Sequence, residues 1–185
     1  MEGIYRMKQY EMERIGQMKE VIGEKADSLI DSCLKKLEKL LVGNADSIRN
    51  DLEIALKELA ADKKEGSLVI SFLRSSYILN NHEFYIAYYE GEPFVEEEPN
   101  CVYFSMKKVF SGIEDDWDEM DEELHQNFIR VLAGEKEEIR RWHMERIYIA
   151  LESIMRMAIE KMQKRSGVNV YYGGYMEEVK LIGSI

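Results

Sequence analysis

Ile139-Arg140-Arg141-Trp142-His143-Met144-Glu145-Arg146-Ile147 lies within the stretch Glu135 to Ile182, whose reading decides the fold. Ile139, Trp142/His143, Ile147, Ala150/Leu151, Ile154, Ala158 and Met162 recur at intervals of three and four, a spacing that buries one face of a helix. Glu137–Arg141, Glu152–Arg156 and Glu160–Lys164 stand in the favourable i,i+4 order, and Lys161, Lys164 and Arg165 put cations in the last turn, where the dipole favours them. The spacing predicts a helix to about Arg165, stopped by Ser166-Gly167. Val168 to Tyr172 and Tyr175 to Ile182 then read as a hairpin, with Gly173-Gly174 as a primed two-residue turn. One helix and one hairpin cannot bury each other fully, so earlier segments must cover them.

Upstream, Glu2 to about Leu41 reads as helix, with Ile15, Met18, Ile22, Ala26, Leu29, Cys33, Leu37 and Leu40 on one stripe. Unbroken it would span about 60 Å, more than a compact domain of this size, so a bend or break near Gly23 is expected. Gly43-Asn44 stops it and caps a helix from Ala45 to about Ala61, carrying Ile48, Leu52, Ala55 and Leu59. The period then changes to two. Ser67–Leu73, His82–Glu90 and Cys101–Met106 read as short strands, with Asn80-Asn81 and Glu90-Gly91-Glu92-Pro93 as turns. Ser111-Gly112-Ile113-Glu114 has the form of a capping box opening a helix to Ala133, closed by Gly134. The expected class is α+β: about four helices on an antiparallel sheet of about five strands, in the order α-α-β-β-β-α-α-β-β. Residues 1–66 form a helical hairpin or extension and residues 67–185 an α+β domain.

At 185 residues the chain buries enough surface to need no disulfide or metal staple. Cys33 and Cys101 lack partners at ligand spacing and read as buried free thiols, which suits a reducing cytosol. No membrane-spanning run and no signal peptide is read, and a cytoplasmic protein is expected. Net charge is −11, divided as −2 from Met1 to Gly66, −10 from Ser67 to Ala133 and +1 thereafter. An acidic middle third disfavours nucleic acid and anionic lipid and would attract a basic partner.

The run from Glu114 to Glu123 is the most unusual local feature. Its acids either serve the first turns of a helix, with Ile113, Trp117 and Met120 facing inward, or form an acidic face for a basic surface. A calcium loop is excluded by its ligand order, and Glu122-x-x-His125 lacks the second copy that a di-iron bundle needs. His143 beside Arg140 and Arg141 reads as a partly buried histidine, the enzyme alternative being a pocket around those three. There is no nucleophile elbow, phosphate-binding glycine loop or dinucleotide fingerprint, and no cofactor is implied. Tyr77, Tyr85, Tyr88, Tyr89, Tyr103, Tyr171, Tyr172 and Tyr175 lie in or near strands, where exposed tyrosines suit a protein interface. The expectation is a non-catalytic binding protein of inhibitor, immunity or accessory type. Glu96, Glu97, Glu98, Asp115, Asp116, Asp118 and Glu119 would steer a basic partner, with Tyr88, Tyr89 and Trp117 as anchors. The alternative is a scaffold whose N-terminal helix pairs between two copies.

Overall fold

The stripe from Ile139 to Met162 does form a helix, in a computed structural model that describes residues 2–43, 47–61, 63–95, 99–162 and 167–185. Among the described residues are six helices and five strands. The helices are α1 (Glu2–Val21), α2 (Gly23–Leu41), α3 (Ser47–Leu59), α4 (Arg74–Ile78), α5 (Ile113–Asn127) and α6 (Ala133–Glu160). The strands are β1 (Ser67–Phe72), β2 (Glu83–Tyr89), β3 (Asn100–Ser105), β4 (Asn169–Gly174) and β5 (Val179–Ser184). The class is α+β, with more helices than the four expected. The long N-terminal helix is divided at Ile22, and a single helical turn, α4, follows β1. Helical hydrogen bonding runs through that division: the Ile22 N–H donates to Met18 O (3.1 Å), and Ile22 O accepts from the Ala26 N–H (2.8 Å).

The chain divides into two compact units, and the division cuts α2 and α6. The first comprises Met1–Cys33 and Gly112–Arg146. Its core is Met18, Ile22, Ala26, Leu29, Met120, Leu124 and Ile139, with Ile15, Trp117, Phe128, Val131 and Trp142 packed against it. The expected capping box at the start of α5 does not form. Gly112 is the cap, in the left-handed region (φ 95°), and the Ser111 hydroxyl turns back to Lys108 O. The reciprocal half of such a box appears instead at α6, where the Glu135 carboxylate accepts the Leu132 N–H (2.8 Å) while Arg14 donates to its other oxygen (2.6 Å). Burial pushes the Glu135 carboxyl up, but these two donors outweigh it and leave the group below its ordinary value.

The second unit, Leu34–Ser111 and Ile147–Ile185, holds the sheet, in the order β3-β2-β1-β4-β5. The sheet is mixed rather than antiparallel throughout, because β1 pairs parallel to β4. Short connections force antiparallel pairing within β1–β2–β3 and β4–β5, but the long passage from Phe72 to Asn169 leaves a parallel neighbour accessible. Gly173-Gly174 ends β4 and is not the turn. The turn is Gly174–Glu177, with the Glu177 N–H bonded to Gly174 O (3.1 Å) and Met176 at φ 59°. Glycine is needed in the strand because a Cβ at Gly173 would lie 2.7 Å from Glu178 O.

Alternation gives the sheet two faces. Leu68, Ile70, Phe72, Phe84, Ile86, Tyr88, Val170 and Tyr172 share one, and it is buried. There the Tyr148 ring of α6 stacks on Phe72 (5.0 Å) and stands edge-on to Phe84 and Phe110 (5.6 Å each). The Tyr172 hydroxyl donates to Tyr148 O (2.7 Å) within that cluster, and complete burial raises its pKa.

Candidate binding face

The opposite face has a different cover. Register places Ser67, Val69 and Ser71 of β1 beside Tyr85, Ala87 and Tyr89 of β2, then Cys101 and Tyr103 of β3. On the other flank stand Tyr171 and Gly173 of β4 and Val179 and Leu181 of β5. The apolar cluster here is Val69, Ala87 and Tyr89, with Tyr85, Phe94, Tyr171 and Val179 against it, and among the described residues none of these is helical. Aromatic rings do the covering. Tyr85 meets Tyr103 (5.5 Å) and Tyr175 (5.1 Å) edge-on, while Phe94 meets Tyr89 (5.7 Å) and Tyr175 (6.2 Å). These rings keep water off β1 yet remain open on their outer side, Tyr103 being 61% exposed and Tyr175 46%, and Leu181 beside them is 50% exposed.

Two residues beside this face hold unfavourable backbone conformations. Phe94 has φ 63° and Met176, next to Tyr175, has φ 59°. A bulky side chain resists the left-handed region, and such strain concentrates at ligand clamps. Beneath the rings the Ser71 hydroxyl is fully buried without a hydrogen-bond partner among the described residues. Burial, aided by a hydrogen bond to Cys101, raises the Tyr85 pKa well above its ordinary value. Cys101 itself is exposed on the edge strand, not buried as expected, whereas Cys33 is buried.

The residues expected to bind are distributed otherwise. Tyr88 and Tyr89, expected as exposed anchors, are both buried. Tyr88 alternates with Phe84 and Ile86, so it faces the core, and its hydroxyl donates to Glu65 O (2.6 Å). Tyr89 is on the ring-covered face but lies under Phe94. Glu96, Glu97 and Glu98 fall outside the described residues. Asp115, Asp116, Trp117, Asp118 and Glu119 belong to the first unit, on the opening turns of α5. Asp115, Asp118 and Glu119 are exposed, Asp116 is buried, and Trp117 is half-buried against the core. Part of this charge is met internally, because Glu119 pairs with Lys25 and Asp121 with Lys136 (2.7 Å).

His143 is buried with neither ring nitrogen hydrogen-bonded among the described residues, and Arg141 pairs with Glu138. A buried imidazole presents nothing to a solute. The cavity of about 140 Å³ between β4, β5 and α6 is lined by Glu152, Tyr172, Glu177, Glu178 and Lys180, and three of its four charged side chains are engaged in ion pairs. Glu152 binds Lys180 (2.9 Å) and Arg156 (3.1 Å), and Glu177 binds Arg74 (2.8 Å). Among the described residues no three His, Cys, Asp or Glu side chains converge as metal ligands, and no helix is long and apolar enough to cross a membrane. No protein-family model, no curated protein and no solved structure matches this chain.

Proposed function

We propose that this protein is a non-catalytic protein-binding module whose ring-covered sheet face seats a basic segment of a partner. The observation that carries the reading is a β-sheet face closed by aromatic side chains instead of a helix, with Tyr103, Tyr175 and Leu181 exposed. Tyrosine and phenylalanine bury large areas at little entropic cost, which makes them efficient interface anchors. The connection that carries Phe94 also carries the exposed Glu92, and Glu90 paired with Lys63 (3.1 Å), so the apolar surface has acidic residues at one margin. Arginine suits such a surface, since its guanidinium stacks on an aromatic face while reaching a carboxylate. Asp115 and Asp118 add to the negative charge of a chain at −11, which attracts a basic partner at long range.

Selection of a displayed random peptide library on the protein tests this reading. Basic, arginine-bearing sequences should be enriched, should weaken as salt rises, and should lose roughly tenfold or more of their affinity for Tyr103→Ala/Tyr175→Ala. Enriched peptides that bind the double variant as tightly as the parent would place recognition elsewhere.

A further inference from the structure

The two edges of the sheet are guarded unequally. At one edge β5 carries Lys180 and Gly183, and its pairing with β4 is shifted between Val170 and Tyr171. A lysine and a bulge are common means by which an edge avoids pairing with another chain. The other edge, β3, is Asn100-Cys101-Val102-Tyr103-Phe104-Ser105, without charge, proline or bulge and in continuous register with β2; α3 lies close to it, yet every residue of the strand but Phe104 is exposed. Such an edge is a template for a further strand.

Its outward backbone groups can be assigned. The Met106 N–H donates to His82 O (2.9 Å), so residues 82 and 106 form a hydrogen-bonded pair. Stepping by two along the register, Phe104, Val102 and Asn100 turn their N–H and C=O groups toward β2. Cys101, Tyr103 and Ser105 therefore turn theirs outward, three residues with two groups each, six in all. Pro99 has no N–H and ends the row.

We infer that β3 is the seam of a homodimer, in which the β3 strands of two copies of this chain pair antiparallel about a two-fold axis at Tyr103. This register sets Tyr103 opposite Tyr103 and Cys101 opposite Ser105 of the second copy, and it satisfies all six outward groups at once. It also fits the charges. Lys107 and Lys108 are exposed beyond one end of β3, and Glu92 lies exposed, beside Glu90 paired with Lys63 (3.1 Å), beyond the end of β2 that adjoins the other. Antiparallel pairing brings the lysines of each copy to the acidic end of its mate, whereas parallel pairing would set like charges together. A two-fold axis normal to the sheet keeps the ring-covered face on one side in both copies, making one ten-stranded sheet from two of five. The inference rests on the edge geometry and stands apart from the proposed ligand.

Sedimentation equilibrium over a wide concentration range tests it with the parent and Tyr103→Pro. Proline at 103 removes one outward N–H and none directed to β2, so it blocks the seam and spares the sheet. The parent should approach twice the monomer mass, and Tyr103→Pro should remain monomeric with an unchanged circular dichroism spectrum. A parent that stays monomeric up to millimolar concentration, or a variant that dimerises as the parent does, overturns the inference. If Tyr103→Pro does not fold, residue-resolved hydrogen exchange of the parent decides. Protection of the Cys101, Tyr103 and Ser105 amides must rise with protein concentration while that of Val102 and Phe104 stays constant. Protection of all five independent of concentration overturns it equally.

Discussion

Acid should weaken this protein through His143, and His143→Met should remove the effect. Burial, reinforced by the positive charge of Arg146, holds the imidazole pKa down to about 4, against 6.5 when unfolded. Between those values the unfolded chain binds a proton that the folded one refuses. Stability is therefore full above pH 6.5 and falls as pH drops toward 4. At about 1.4 kcal/mol for each tenfold difference in proton affinity, the whole gap is worth about 3 kcal/mol, of which roughly 2.5 is lost by about pH 4.5. Methionine fills a similar volume, cannot ionise, and leaves no unpartnered ring nitrogen, which should itself add about 1 kcal/mol at neutral pH. Both tryptophans, Trp117 and Trp142, pack on the core of the unit that contains His143, so their fluorescence reports its unfolding. Urea titrations of parent and variant from about pH 7.5 to about pH 4.5 should show the variant's advantage growing by roughly 2.5 kcal/mol. Carboxylates common to both proteins cancel in that difference. A difference that stays constant across the range would refute the reasoning.

Gly66→Ala should destabilise the second unit by about 2 kcal/mol or more, read by urea unfolding in the near-ultraviolet tyrosine signal. Gly66 has φ 130°, and its Cβ would lie 2.7 Å from Tyr89 O and close against the Tyr88 hydroxyl. Ser71→Ala should stabilise the same unit by about 1 kcal/mol, since it deletes a buried hydroxyl with no partner among the described residues; thermal melting checks the sign. Glu135→Gln should cost about 1 kcal/mol at neutral pH by weakening the ties to Arg14 and Leu132. Because the Glu135 carboxyl sits below its ordinary value, that contribution is present above the unfolded pKa and disappears as pH falls through the folded one. Parent and variant should thus converge in strong acid, as paired urea titrations would show.

Local periodicity carried much of the architecture. The stripes of α2 and α6 and the alternation in β1 and β2 stand where the spacing put them, because each is fixed by neighbours within a few residues. Contacts distant in sequence were not legible. Nothing near Ser67 announces that Asn169 will lie beside it in parallel, and nothing near Glu119 announces Lys25. Gly173-Gly174 misled for a specific reason: glycine marks both turns and places where backbone approaches backbone, and here the second applies. The parity of Tyr85 against Tyr88 was visible, but which parity faced the helices was not. Phe94 escaped notice because a phenylalanine in the left-handed region has no sequence signature.

The parallel union of β1 with β4 has a consequence for how the protein is made. Its central strand emerges from the ribosome early, yet one of its two neighbours is encoded nearly a hundred residues later, beyond a stretch that belongs to the other unit. During translation β1 can zip to β2 and β3 at once, but its remaining flank stays unsealed until β4 and β5 arrive. Nascent chains stalled or cut within α6 would thus display a sticky, half-built sheet, making that interval the natural point for chaperone capture.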